Sequence, residues 1–238
     1  MKIKSVNYYY LTEDGHKEER FVTYRFNEDC QVEKVEYDDH SVEYHYLPDG
    51  NKYEEITTYD NGDVYKVRYD YDDEGGLIGT VKTDKYGGIV AKSEYDWIKP
   101  YRVVKVKNYQ FFGDVFELSM ETKYYRKDGK VQFCRGLECF TKYEYDNNGH
   151  LTQIEDSYCV DVEGEHIWLS EFRIFNENGL LTRYTDETGK TSTLDYDYDE
   201  YGNWIRLERR IDNCPVSMVS IREIEYIADR SSYHNRTY

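Results

Sequence analysis

The sequence predicts an all-β chain of tandem β-hairpin repeats that forms an elongated, twisted antiparallel sheet or a β-solenoid-like array. Three observations predict it. Tyr supplies 28 of 238 residues while Ala supplies two, Ala91 and Ala228, and aromatic and β-branched side chains suit pleated sheets where Ala suits helices. A pattern of aromatic, any residue, aromatic, turn residues and Gly recurs along the chain. The hydrophobic share is only 39% with Tyr included, too little for a thick core and suited to a thin sheet with half-buried rings.

The elements follow in order. Tyr8-Tyr9-Tyr10-Leu11 begins a first strand that runs into a partial copy ending at Gly15. Tyr24 and Phe26 follow, with Cys30 in the glycine place and Val32 beyond. Tyr44, Tyr46 and Gly50 repeat the pattern, with Lys52 in place of the apolar residue. Tyr69, Tyr71, Asp72, Gly75 and Leu77 match in full, and partial copies end at Gly62 and Gly87. Residues 95–119 lose the pattern and hold Pro100, a Lys/Arg cluster and Phe111-Phe112; they read first as an irregular repeat in one continuous sheet, with a longer hairpin or an irregular break between two repeat arrays as the alternatives. The pattern returns at Tyr125, Gly129 and Val131. It is clearest at Tyr143-Glu144-Tyr145-Asp146-Asn147-Asn148-Gly149-His150-Leu151. Phe175, Gly179 and Leu181 form a weaker copy, and Gly189 ends a partial one. Tyr196-Asp197-Tyr198-Asp199-Glu200-Tyr201-Gly202-Asn203-Trp204 closes the series.

One unit has simple physics. Period-2 alternation sets Tyr143 and Tyr145 on one strand face. Asp-Asn-Asn-Gly supplies a hairpin turn, with Gly149 taking the positive φ, and Leu151 starts the return strand. A lone hairpin is marginal, so stacked neighbours must share one aromatic strip. The expected organisation is one β-repeat domain over residues 1–228 and a flexible polar tail over 229–238.

The copies at 143–151 and 196–204 resemble the YD repeats of the RHS and teneurin superfamily. Arg222-Glu223-Ile224-Glu225-Tyr226 is similar to the end of small YD-repeat proteins common in Bacteroidetes. The resemblance implies YD-like repeats over most of residues 8–227. In large relatives such repeats form β-sheet shells around toxin domains or adhesion surfaces. A chain of 238 residues is too short to enclose a toxin alone, and the resemblance implies an architecture rather than an activity.

Charge and motifs narrow the function. The net charge of −17 and pI near 4.8 argue against nucleic acid and anionic membranes, and suit a basic protein partner or a neutral ligand. No apolar run is long enough for a transmembrane helix. No signal peptide opens the chain, so the simplest address is cytoplasmic. The five cysteines form no C-x-x-C pair and read as reduced thiols, although Cys134 and Cys139 could pair across a turn. The six histidines are scattered, without metal-binding spacing. Asp195, Asp197 and Asp199, and likewise Asp70 and Asp72, share strand faces. Neither run places Glu at the twelfth position of a calcium loop, so they read as solvated faces that protect sheet edges.

These features lead to an expectation of no enzyme, no metal and no cofactor, but a structural or protein-interaction repeat with a protein partner and possible self-association through sheet edges. The alternative is a neutral-glycan-binding, adhesion-type repeat using exposed Tyr and Trp, and the second alternative is an enzyme. The candidate contact residues for either binding reading are Tyr44, Tyr46, Tyr69, Tyr71, Tyr143, Tyr145, Tyr196, Tyr198 and Trp204. Gly50, Gly75, Gly129, Gly149, Gly179 and Gly202 are expected to be structural turn residues.

Overall fold

A computed structural model describes residues 2–12, 14–98, 103–112, 115–128, 130–136, 138–162, 165–214 and 217–227. Among them there are strands and turns and no helix. The strands are β1 (Lys2–Leu11), β2 (Lys17–Phe26), β3 (Val32–Tyr37), β4 (His40–Tyr46), β5 (Lys52–Tyr59) and β6 (Val64–Tyr71). Next come β7 (Leu77–Thr83), β8 (Ile89–Ile98), β9 (Val103–Phe112), β10 (Val115–Lys127), β11 (Lys130–Arg135) and β12 (Cys139–Tyr145). The last six are β13 (Leu151–Val162), β14 (Glu165–Phe175), β15 (Leu181–Thr185), β16 (Thr191–Tyr198), β17 (Trp204–Ile211) and β18 (Met218–Ile227). The proposed break at 95–119 contains the end of β8, all of β9 and the start of β10, and the tail 229–238 lies outside the described residues.

All eighteen strands belong to one antiparallel sheet. β1 pairs with β2, placing Tyr8 opposite Val22, and also with β18, placing Tyr8 opposite Arg222. The first strand therefore has a neighbour on each side, and the sheet is a closed β-barrel. This corrects the expected open twisted sheet or solenoid. Closure gives β1 and β18 the ladder partners that an open array would leave to water or to another chain.

The repeat motif is a turn device. In the β6–β7 hairpin the Gly75 N–H donates to the Asp72 carbonyl (3.0 Å) and the Asp72 N–H donates to the Gly76 carbonyl (2.8 Å). Asp72 Oδ1 accepts the N–H groups of Glu74 (3.0 Å) and Gly76 (2.7 Å). The same backbone pair recurs at Asn27, Asp84, Asp146, Asn176, Asp186 and Asp199. Each is a three-residue hairpin loop closed by a residue in the left-handed region, and a one-residue register shift accompanies the turns at Asn27, Asp72, Asp84, Asp146 and Asn176 but not the one at Asp186. Gly149 takes φ +86°, and Gly50, Gly75, Gly179 and Gly202 are also positive. Cys30 fills the glycine place at φ +63°. Gly129 lies outside the described residues.

The turns at Cys30, Gly50, Gly75, Gly149, Gly179 and Gly202 follow even-numbered strands, and the partial copies at Gly15, Gly62, Gly87 and Gly189 follow odd-numbered ones.

The chain divides into two compact units, residues 2–65, 196–208 and 218–227, and residues 66–195 and 209–217. Each has the same two-faced sheet. In the first, Tyr8, Val22, Tyr24, Val35 and Val42 meet across strands on one face. The other face carries Arg25–Glu36 (2.9 Å) and Lys34–Glu43 (3.1 Å) ion pairs. In the second, Tyr95, Val106, Thr122, Val104, Tyr124 and Cys134 share a face. Lys105–Glu121 (2.8 Å) and Lys142–Glu144 (2.5 Å) pair on its reverse. Among the described residues the buried apolar side chains are small: Val6, Val22, Val35, Val42, Val104, Val106 and Cys134. The core is as thin as the composition implies. Tyr8, Tyr24, Tyr95 and Tyr124 lie directly opposite Val22, Val35, Val106 and Val104.

Candidate functional site

Two copies of the motif, one in each unit, build similar shallow grooves beside turns that follow even-numbered strands. In the first unit the Tyr46 hydroxyl donates to the Val32 carbonyl (2.7 Å), and Gln31 Nε2 donates to the Gly50 carbonyl (3.2 Å). In the second, the Tyr145 hydroxyl donates to the Val131 carbonyl (2.8 Å), and Lys130 Nζ donates to the Gly149 carbonyl (2.6 Å). The second aromatic of a repeat thus caps a carbonyl of the hairpin before it, and the residue opening that hairpin's return strand ties down the next turn. The grooves hold about 530 Å³ beside Tyr44, Tyr46 and Gly50 and about 690 Å³ beside Tyr143, Tyr145 and Gly149.

The first aromatics of these copies are held protonated. Burial, helped by Glu55, pushes Tyr44 up to about 12. Burial, helped by Cys134 and Asp156, pushes Tyr143 up to about 12. Lys52 Nζ sits 4.1 Å from the centre of the Tyr44 ring, and Lys130 Nζ sits 5.2 Å from that of Tyr145. These rings are half-buried parts of the sheet, and their hydroxyls are neutral hydrogen-bonding groups.

The other expected tyrosines divide. Tyr69 and Tyr71 lie on β6 opposite Thr80 and Leu77. Tyr196 and Trp204 belong to a second cluster in the first unit, with ring centres 5.7 Å apart and edge to face. Tyr8 meets the Trp204 ring at 5.8 Å. Arg222 lies over Trp204 at 4.4 Å and over Tyr8 at 5.2 Å. Its Nη1 donates to the Trp204 carbonyl (3.2 Å), while its buried Nε has no hydrogen-bond partner among the described residues. Burial lowers the guanidinium below its ordinary value, and Tyr8 and Tyr226 oppose that. Beside it, Asn203 Nδ2 donates to the Tyr226 hydroxyl (2.7 Å), and that hydroxyl donates to the Asp199 carboxylate. Tyr198 stands at the margin and is exposed. Sequence reasoning did not pick Arg222, Tyr8 or Tyr226 as site residues. The only signal was the closing Arg-Glu-Ile-Glu-Tyr segment, whose neighbours across the sheet come from the opposite end of the chain.

The acidic stripe is mostly paired. Asp195 meets Arg210 (3.0 Å), Asp197 meets Arg206 (3.4 Å) and Asp70 meets Arg68 (3.1 Å). β16 lies inside the closed sheet, so its stripe serves cross-strand pairing rather than edge protection. The cysteines are free thiols, Cys134 buried and Cys139 exposed. Among the described residues no group of three or more His, Cys, Asp or Glu side chains gathers in a metal-binding arrangement.

No family model matches the sequence, and no curated protein matches it. Similar solved structures do exist. A porin-like protein from Bacteroides uniformis ATCC 8492 is 13% identical with a TM-score of 0.47, covering 94% of this chain and 98% of its own. A porin-like protein from Bacteroides vulgatus ATCC 8482 is 14% identical with a TM-score of 0.41, covering 95% and 99%. A chain of the Photorhabdus luminescens Tc holotoxin pore is 11% identical with a TM-score of 0.27, and the match covers 82% of this chain and 14% of that one.

Proposed function

We propose that this chain is a non-catalytic structural or protein-interaction repeat protein whose acidic turns fit a basic partner. The placement of charge carries this reading. Charges within the sheet are largely matched across strands, as in Lys4–Glu225, Arg25–Glu36, Lys105–Glu121 and Arg210–Asp195. The turns hold exposed carboxylates, among them Glu28, Asp29, Asp38, Asp73, Glu177, Glu187 and Glu200. Much of the net −17 is therefore presented at strand ends, where it steers an oppositely charged surface.

The test is capture of a basic protein from native extract by the immobilised chain, repeated with Asp73→Asn, Glu187→Gln and Glu200→Gln combined. The reading expects a partner that leaves as salt rises through about 0.15 M, where the screening length is about 8 Å, and that associates more slowly with the triple variant. A partner indifferent to both salt and the substitutions contradicts it.

A further inference from the structure

We propose that the open edge of β10, Val115–Thr122, accepts an extended acidic strand from a partner protein. This surface is separate from the acidic turns and does not rest on the reading above.

A closed sheet exposes backbone donors and acceptors only where one strand outruns its neighbour. β10 has 13 residues and β11 has six. β10 pairs with β9 from Val115 to Tyr125, but with β11 only from Lys123 to Lys127. Among the described residues no backbone hydrogen bond reaches the other side of Val115–Thr122. That edge is about 27 Å long at ~3.4 Å per residue. β12 is short too, and β13 outruns it beyond Tyr158. Between β10 and β13 lies a notch three strand spacings wide, about 14 Å, which is room for two strands.

The notch has chemistry as well as an open ladder. Its hollow beside β10 holds about 510 Å³. Leu118 is 53% exposed and Met120 49% on one side, and Trp168 is 58% exposed on the other. Phe133 and Phe140 lie near the floor with ring centres 5.8 Å apart. An exposed edge with apolar side chains is one that proteins normally blunt with charge or proline. The local charge is opposite to that of the chain. Described residues between 103 and 145 include eight Lys and Arg against five Asp and Glu. Glu121 is taken by Lys105 (2.8 Å) and Lys123 (4.0 Å). Arg135 is exposed at the mouth with no carboxylate partner among the described residues. The register shift between Leu118 and Met120 sets Met120 on the face of Thr122 and leaves Leu118 on that of Lys123 and Arg135, so a strand with carboxylates on the Arg135 and Lys123 face and apolar side chains on the other completes the ladder and covers Met120. The main chain supplies affinity and the side chains supply selectivity. β14 also outruns β15, pairing only through Phe172–Phe175, but that edge carries Glu165 and Glu171 and repels the same strand.

The probe is a pool of capped nine-residue peptides in which Glu alternates with Val, Ile, Leu, Phe or Tyr. Its comparison pools are N-methylated at alternate amides, or carry Lys in place of Glu. The proposal expects the Glu pool to bind and to slow amide exchange at Val115–Thr122 by about tenfold or more, and N-methylation to cost about tenfold in affinity because it removes ladder donors. Arg135→Glu should weaken the Glu pool and favour the Lys pool. Exchange on the unaltered chain keeps the test decisive if that variant fails to fold. No binding by the Glu pool, equal binding of the N-methylated pool, protection elsewhere, or a dimer that already protects 115–122 would each overturn it.

Discussion

The Arg222 guanidinium lies 4.4 Å from the centre of the Trp204 ring and 5.2 Å from that of Tyr8. One side chain on β18 thereby touches β17 and β1, the strand that closes the sheet. A half-buried guanidinium between two rings gains cation–π attraction and packing together. Arg222→Ala should destabilise the fold by about 2 kcal/mol. Arg222→Lys should recover less than half, because a compact ammonium cannot stack flat on both rings. Urea titration of the three proteins checks the order.

Cys30 holds φ +63° in a turn whose relatives carry Gly. A non-glycine residue there costs about 1 kcal/mol. Cys30→Gly should therefore stabilise the protein by about that amount. Gly62→Ala should cost about 1 kcal/mol from backbone strain alone, since nothing lies within 4 Å of its new Cβ. Gly149→Ala should cost more, because its Cβ would run into the Lys130 ammonium that binds the Gly149 carbonyl. Thermal unfolding ranks the three.

Acid should unfold the protein through its turns and ladders. The His150 backbone N–H holds Asp146 below its usual range, and the Thr188 hydroxyl does the same for Asp186. Lys105 lowers Glu121 and Lys4 lowers Glu225. A depressed carboxylate contributes stability that is present above its unfolded value and lost as pH falls through its folded one. Stability should hold near neutrality and decline below about pH 4. Added salt should weaken the part carried by Lys–Glu pairs and leave the turn part. Denaturant midpoints measured against pH at two salt concentrations separate them.

The alkaline side has its own signature. Tyr44 and Tyr143 are raised to about 12 by burial. A raised tyrosine contributes stability that is complete below its unfolded value and lost as pH rises through its folded one, so the window runs from about 10 to about 12. Absorbance at the phenolate band should lag the unfolded chain across that window. Tyr44→Phe and Tyr143→Phe should each remove part of the late rise.

The hairpins were legible because their determinants are local. Tyr143 and Tyr145 alternate, Asp146 caps two places of its own turn, and Gly149 takes the left-handed conformation within nine residues of sequence. Closure was not legible, because Tyr8 meets Arg222 across nearly the whole chain and no local pattern encodes that pairing. The acidic stripe misled for the same reason. Asp195 and Asp197 alternate like a solvated edge, and only the register of β17 shows that Arg210 and Arg206 neutralise them. The candidate tyrosines were found by type, but the carbonyls of Val32 and Val131 that bind Tyr46 and Tyr145 depend on how consecutive hairpins stack.

Closure of the sheet at β1 is the central structural claim, and residue-resolved hydrogen exchange tests it most directly. With β2 on one side and β18 on the other, the amides from Ser5 to Tyr9 should all exchange slowly, whichever way each N–H points. Slow exchange alternating with rates typical of an unstructured peptide would make β1 an edge strand and contradict the closed barrel.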